Sequence, residues 1–146
     1  MNLEQLPKFE AFDNHLFFNT KMLQYNDPTD HILEEHLCLV MSKNLIITFQ
    51  EGLPGDSFDP IRTRIFLGTG LIRKHGSDYL FYHLINSVLA NYLEIMEQLR
   101  ERIERLEESA LADSSLNVVN TVIKLKKEIN TLRRYTLPMR EAFLNM

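Results

Sequence analysis

Cysteine is almost missing: Cys38 is the only one in 146 residues. A single thiol permits no internal disulfide, which fits a reducing compartment. An excess of basic charge is missing too. The formal net charge is −4, so the electrostatic footprint of a nucleic-acid partner is not there, and a mildly acidic surface attracts cations instead. No long hydrophobic run occurs. The most apolar long segment, Leu80 to Met96, is interrupted by His83, Asn86, Ser87, Asn91 and Glu94, whereas a membrane-spanning helix needs about 20 mostly apolar residues. The first ten residues carry Glu4, Pro7, Lys8 and Glu10 where a signal peptide has its apolar region. Internal repeats and low-complexity tracts are also lacking. These absences predict a soluble, cytoplasmic chain. What is present is enough apolar material, 45% of residues, to bury a core, in a length that suits one ordinary domain.

The chain divides by pattern. Residues 1–50 read as strands. Lys8 to Phe12 alternates imperfectly, and His15 to Leu23 is rich in Leu, Phe and Met. Asn26-Asp27-Pro28 reads as a turn. Ile32 to Met41 suits a half-buried strand. Ser42-Lys43-Asn44 is a tight connection, and Leu45 to Phe49 is β-branched or aromatic almost throughout. Together they predict an antiparallel meander of about four strands. Residues 51–76 read as a linker with a short helix. Gly52, Pro54 and Gly55 break the strand pattern. Asp59 stands as an N-cap before Pro60, Ile61, Ile65 and Phe66 face the core, and Gly68 and Gly70 end the helix.

Residues 77–146 read as a long helical hairpin. Ser77 caps the first helix, with Asp78 in its opening turn. Its apolar stripe is Leu80, Leu84, Val88, Tyr92, Ile95, Leu99, Ile103 and Leu106, and a helix from Ser77 to Leu111 is about 50 Å long. Asp113-Ser114-Ser115 makes the break. The second stripe is Leu116, Val119, Val122, Leu125, Ile129, Leu132, Met139 and Phe143, with Pro138 expected to kink the helix. The predicted class is α+β: a mostly antiparallel sheet packed with a long antiparallel helical hairpin.

Catalytic chemistry finds no constellation. Cys38 lies in a predicted strand with no activating base in view. Gly68-Thr69-Gly70 lacks the strand–loop–helix setting and the lysine–serine pair of a phosphate loop. No paired-carboxylate or metalloprotease motif occurs. His31 and His36 fall on opposite faces of a strand, and with His15, His75 and His83 they lack the tight spacing of a zinc site. No catalytic, cofactor-binding or metal-ligating residue is assigned. The most charged run places Glu94, Glu97, Glu101, Glu104 and Glu108 on one side of the first long helix, offset by Arg100, Arg102 and Arg105, as with Glu101 and Arg105. It reads as a solvated face or as a loose attractor of hydrated divalent cations. The hairpin's apolar face either packs wholly on its own domain or leaves area for an oligomer interface.

Four ordered segments carry a resemblance. They are Pro7-Lys8-Phe9-Glu10 with Asp13-Asn14-His15-Leu16-Phe17; Leu45 to Glu51; Gly55-Asp56-Ser57-Phe58-Asp59-Pro60-Ile61-Arg62, continuing to Ile72-Arg73 and Asp78-Tyr79-Leu80; and Leu132-Arg133-Arg134 with Leu137-Pro138-Met139-Arg140-Glu141. Each is weak alone. In this order and spacing, along nearly the whole chain, the set resembles the cytoplasmic domain of CorA-type magnesium transporters. The resemblance implies a fragment. In that family further strands and helices of the sheet come first, and a stalk helix and two membrane helices follow, the first ending in Gly-Met-Asn. It also implies a homopentamer in the cell membrane, with Mg²⁺ between neighbouring cytoplasmic domains favouring the closed channel. The fragment itself is then expected as a monomer or weak dimer, in contact with the membrane only through the segments outside it. The family's main regulatory aspartates fall before Met1 and after Met146. Asn86, Ala90 and Asn91 are neutral where some members carry aspartates in the first long helix.

Three readings follow. The first is a regulatory and assembly domain of a Mg²⁺ transporter, with Co²⁺ or Zn²⁺ as the alternative cargo. The second is a free-standing helical-hairpin adaptor that binds a partner protein. The third and weakest is an enzyme, which requires a converging polar pocket.

Overall fold

A computed structural model describes residues 5–26, 31–55, 57–112 and 116–144. Four strands form one antiparallel sheet in chain order: β1 (Lys8–Ala11), β2 (Leu16–Asn26), β3 (His31–Ser42) and β4 (Leu45–Gln50). Three helices follow: α1 (Asp59–Leu67), α2 (Ser77–Ala112) and α3 (Leu116–Leu144). The α+β class and the meander are as the sequence predicts. Asp27 and Pro28 of the expected turn, and the break at Asp113-Ser114-Ser115, lie outside the described residues.

The β2–β3 hairpin is the frame, paired from Leu16↔Met41 to Asn26↔His31. Period-two alternation in β3 buries Glu35, Leu37 and Leu39 and leaves their neighbours half-buried. β2 is buried on both faces from Phe18 to Leu23. The core joins Phe18, Met22, Leu37 and Leu39 of the sheet to Phe81, Leu84, Val88, Tyr92, Ile95 and Leu99 of α2. Two hydrogen bonds fix this packing: buried Tyr92 Oη donates to the Lys21 carbonyl oxygen at 2.6 Å, and half-buried Ser87 Oγ donates to that of Ser57 at 2.6 Å. Burial pushes the Tyr92 phenol well above its ordinary range, so it stays a donor.

Several expectations about helix ends are corrected. Phe58, not Asp59, occupies the N-cap of α1, with no side-chain cap. Its ring is buried and anchors the turn hydrophobically. Asp59 lies inside the first turn and pairs with Arg62 at 2.8 Å, and Pro60 takes the early position where its missing N–H costs nothing. Ile61 is buried and Ile65 packs on the core, but Phe66 is 82% exposed, because it falls about 100° round the helix from Ile65. Gly68 closes α1 at φ 66°, a left-handed cap that favours glycine. Ser77 opens α2, yet its Oγ lies 2.8 Å from the carbonyl oxygens of both Ser42 and Lys43. The hydroxyl ties the helix to the β3–β4 turn.

The α3 stripe also differs. Leu125, Leu132 and Met139 are buried as expected, but Val119, Val122 and Ile129 are 55, 48 and 42% exposed. The buried row is Leu125, Glu128, Leu132, Tyr135, Met139 and Ala142. Alternating steps of three and four keep this row on one face of α3, where Glu128 and Tyr135 meet β3. α3 continues as one helix through Pro138 to Leu144.

Candidate functional site

The residues that carry chemistry are dispersed. His15 stacks on Phe12, with ring centroids 4.6 Å apart. His75 and His83 flank Tyr79 at 4.7 and 4.5 Å, and the Nε2 of His83 is buried without a hydrogen bond among the described residues. His31 and His36 fall on opposite faces of β3, as their spacing predicts. Cys38 Sγ donates to Asn19 Oδ1 at 3.6 Å, and burial raises its thiol pKa, which lowers the thiolate fraction that reactivity needs. The Gly68–Gly70 turn caps α1. Among the described residues no three His, Cys, Asp or Glu side chains gather as a cation cage.

The acidic run lies on the open side of α2. Glu94, Glu97, Glu101, Glu104 and Glu108 are all exposed, while Ile95 and Leu99 turn inward. Arg100 bridges two of them, with its Nε 3.2 Å from both Glu97 carboxylate oxygens and its other arm on Glu104. The hydrogen bond from Arg100, reinforced by its charge, holds the Glu97 carboxyl below the usual carboxylate range. The expected Glu101–Arg105 pairing takes another form: Arg105 Nε donates to the Glu101 backbone carbonyl at 3.3 Å. Asn86 and Ala90 are exposed and Asn91 is half-buried.

Sequence reasoning missed the buried carboxylates. Glu128 on α3 is 6% exposed and accepts from His31 Nδ1 and from the Ile32 backbone N–H, each at 2.9 Å. Tyr135 Oη donates to Glu34 at 2.5 Å. Arg102 lies over the Tyr25 ring at 5.4 Å. Together these clamp the long hairpin onto the far end of β2–β3. Glu35 accepts from the backbone N–H groups of Gly52 (2.6 Å) and Leu53 (3.2 Å) and fixes the linker. The available signal was the phase of Glu128, three residues after Leu125 and four before Leu132. Each carboxylate is satisfied by a distant group, and the arrangement binds elements together; it does not present a reacting atom.

No helix among the described residues is long and apolar enough to cross a membrane. The whole chain, residues 1–146, matches the family profile described as CorA-like Mg2+ transporter protein. It is 35% identical, over all 146 residues, to the cobalt/magnesium transport protein CorA of Thermotoga maritima, and covers 41% of that protein. In fold it is similar to the soluble domain of CorA from Methanocaldococcus jannaschii, with a TM-score of 0.79 at 19% identity over 97% of this chain and 55% of the other. The complete CorA magnesium transporter from the same organism matches with a TM-score of 0.79 at 18% identity, over 99% of this chain and 44% of the other. The chain spans about two-fifths of the length of the curated relatives it matches. With the ordered motifs, the sheet and the long hairpin all agreeing, this chain belongs to the CorA family of Mg²⁺ transporter proteins.

Proposed function

We propose that these 146 residues are part of the cytoplasmic regulatory and assembly domain of a membrane transporter that carries Mg²⁺, and Co²⁺ as a second cargo. The observation that carries this reading is the family match along every residue, set beside a coverage of 41% of the Thermotoga relative. Membrane attachment then lies in segments outside these residues, and the transported ion is cargo of the whole protein. No residue of this chain is proposed as a metal ligand or a catalytic group.

In this reading the hairpin of α2 and α3 flanks the route to the membrane, and copies of the domain assemble as a ring of five. A cation that binds better between closed-state neighbours shifts the population toward closed. The exposed glutamates of α2 add a diffuse attraction for hydrated cations, weakened by Arg100 and screened by salt. The neutral Asn86, Ala90 and Asn91 add nothing to it.

The test begins with the parent reading frame. Two closely spaced apolar stretches of about 20 residues beyond Met146, the first ending in Gly-Met-Asn, are expected. The full-length protein should then restore growth at low Mg²⁺ to cells lacking their own Mg²⁺ transporters, and residues 1–146 alone should not. A frame without membrane segments, or a full-length protein that moves no Mg²⁺, overturns the proposal.

A further inference from the structure

Residues 60–77 hold Arg62, Arg64, Arg73 and Lys74, with His75, and no carboxylate, in a chain whose net charge is −4. Of the acids on either side, Asp59 is paired with Arg62 and Asp78 lies in the first turn of α2. At the centre of this basic segment Gly68 and Gly70 are both left-handed, with φ 66 and 73°. They leave the turn without side chains at two positions, where a ligand can come close to the backbone. Two guanidinium groups flank it. A Cβ on Gly68 would stand 3.6 Å from Arg73 Nη1, and a Cβ on Gly70 would stand 3.8 Å from Arg64 Nη2.

The two arginines are held differently. Arg73 Nε donates to the Ile65 carbonyl oxygen at 2.6 Å, and Nη2 to that of Phe66 at 3.1 Å. Arg73 thereby covers the carboxyl end of α1, whose negative pole would repel an anion, and its Nη1 stays open among the described residues. Arg64 is half-buried and has no hydrogen bond or ion pair among the described residues. Such a cation, partly withdrawn from water, is stabilised by an anion. Two guanidinium forks at one turn suit phosphate oxygens. Side chains supply the donors here, because the N–H groups of Gly68 and Thr69 are already bonded to the carbonyls of Ile65 and Arg64. Beside the turn Phe66, Leu67 and Leu71 are 82, 63 and 47% exposed. A flat aromatic face in water next to arginines is the surface on which a base stacks. A bare inorganic anion would leave Phe66 unused. A helix that lies on a membrane presents a long apolar face, whereas these three side chains surround a single turn.

We infer that the Gly68–Gly70 turn is a nucleotide-binding site, at which Arg64 and Arg73 hold the phosphates across the two glycines and Phe66 stacks on the base. The site binds and makes or breaks no bond. It is independent of the proposed transport: a parent protein that moves no Mg²⁺ leaves the site standing, and a turn that binds no nucleotide leaves the transport reading standing.

The test is titration calorimetry on the full-length protein with ATP and with inorganic phosphate, in buffer free of divalent cations. ATP should bind more tightly than phosphate. Arg64→Ala should weaken ATP binding by about tenfold or more. Phe66→Ala should weaken it by about fivefold or more and leave phosphate binding unchanged. Arg64→Lys, which keeps the charge and loses the fork, should recover only part of the affinity. Arg64 and Phe66 make no side-chain hydrogen bond that the fold uses, so these variants should melt at the temperature of the unsubstituted protein; Arg73, which caps α1, is left in place for that reason. Absence of ATP binding, or binding that neither alanine variant weakens, overturns the inference. Equal affinity for ATP and phosphate, indifferent to Phe66→Ala, gives the turn to a bare anion and overturns the nucleotide assignment. Sedimentation with phosphatidylglycerol vesicles that both variants abolish, in a protein that binds no ATP, gives the patch to a lipid surface and overturns it as well.

Discussion

Glu128 shows how a single residue departs from its average behaviour. A glutamate in a helix usually faces water, and here two long-range donors, His31 and the Ile32 amide, hold it against the β2–β3 hairpin. Its neighbour Ile129 is apolar and yet 42% exposed. The two therefore invert the usual order of cost. Glu128→Ala leaves the half-buried Ile32 backbone donor without its acceptor, and should destabilise by about 1–3 kcal/mol in urea unfolding. Ile129→Ala should cost about 1 kcal/mol or less. The opposite ranking would show that the clamp contributes nothing. Glu97 represents the solvated face. Its folded pKa is depressed, so its contribution is present above the unfolded value and lost as pH falls through the folded one. Glu97→Gln should thus lower stability slightly at neutral pH. The difference should vanish below the carboxylate range and shrink in high salt.

Elements here are held by contacts as much as by propensity. α1 is short and starts on a buried phenylalanine without a side-chain cap; its end depends on a left-handed glycine. α3 tolerates Pro138 in its interior, although proline there removes a helical hydrogen bond and costs about 3 kcal/mol in isolated helices. The tolerance comes from packing on either side, where Tyr135, Met139 and Ala142 are buried. Pro138→Ala should therefore raise stability by about 1 kcal/mol or more, read as a shift in the urea midpoint at unchanged slope. A loss of stability instead would mean that the proline ring itself is part of the packing.

At the scale of the molecule, order should fall along the hairpin. Near its base α2 is buried at Val88, Tyr92, Ile95 and Leu99 under the sheet; toward its tip Leu111 is 90% exposed and Val119 and Val122 of α3 are half out of the core. Native-state hydrogen exchange should show Val88–Leu99 opening only with global unfolding, while Glu104–Leu111 opens locally at much lower free energy. Uniform protection along the hairpin would point to a partner bound at the tip.

The sequence by itself determined the class of the fold, the four strands in order, the extent of both long helices and the inner face of α2. Those are local properties: alternation at period two and apolar recurrence at 3.6 follow from backbone geometry. The ordered motifs also determined the family. Tertiary structure alone decided which of two adjacent stripes on α3 is buried. Leu125 and Leu132 belong to a row with Glu128 and Tyr135, two polar residues whose burial is tolerated because His31, Ile32 and Glu34, about 100 positions earlier, satisfy them. It likewise decided that Ser77 binds the β3–β4 turn and that Phe66 faces water. Each of these outcomes depends on where a distant group lies, and hydrophobic periodicity carries no information about a hydrogen-bond donor on another element.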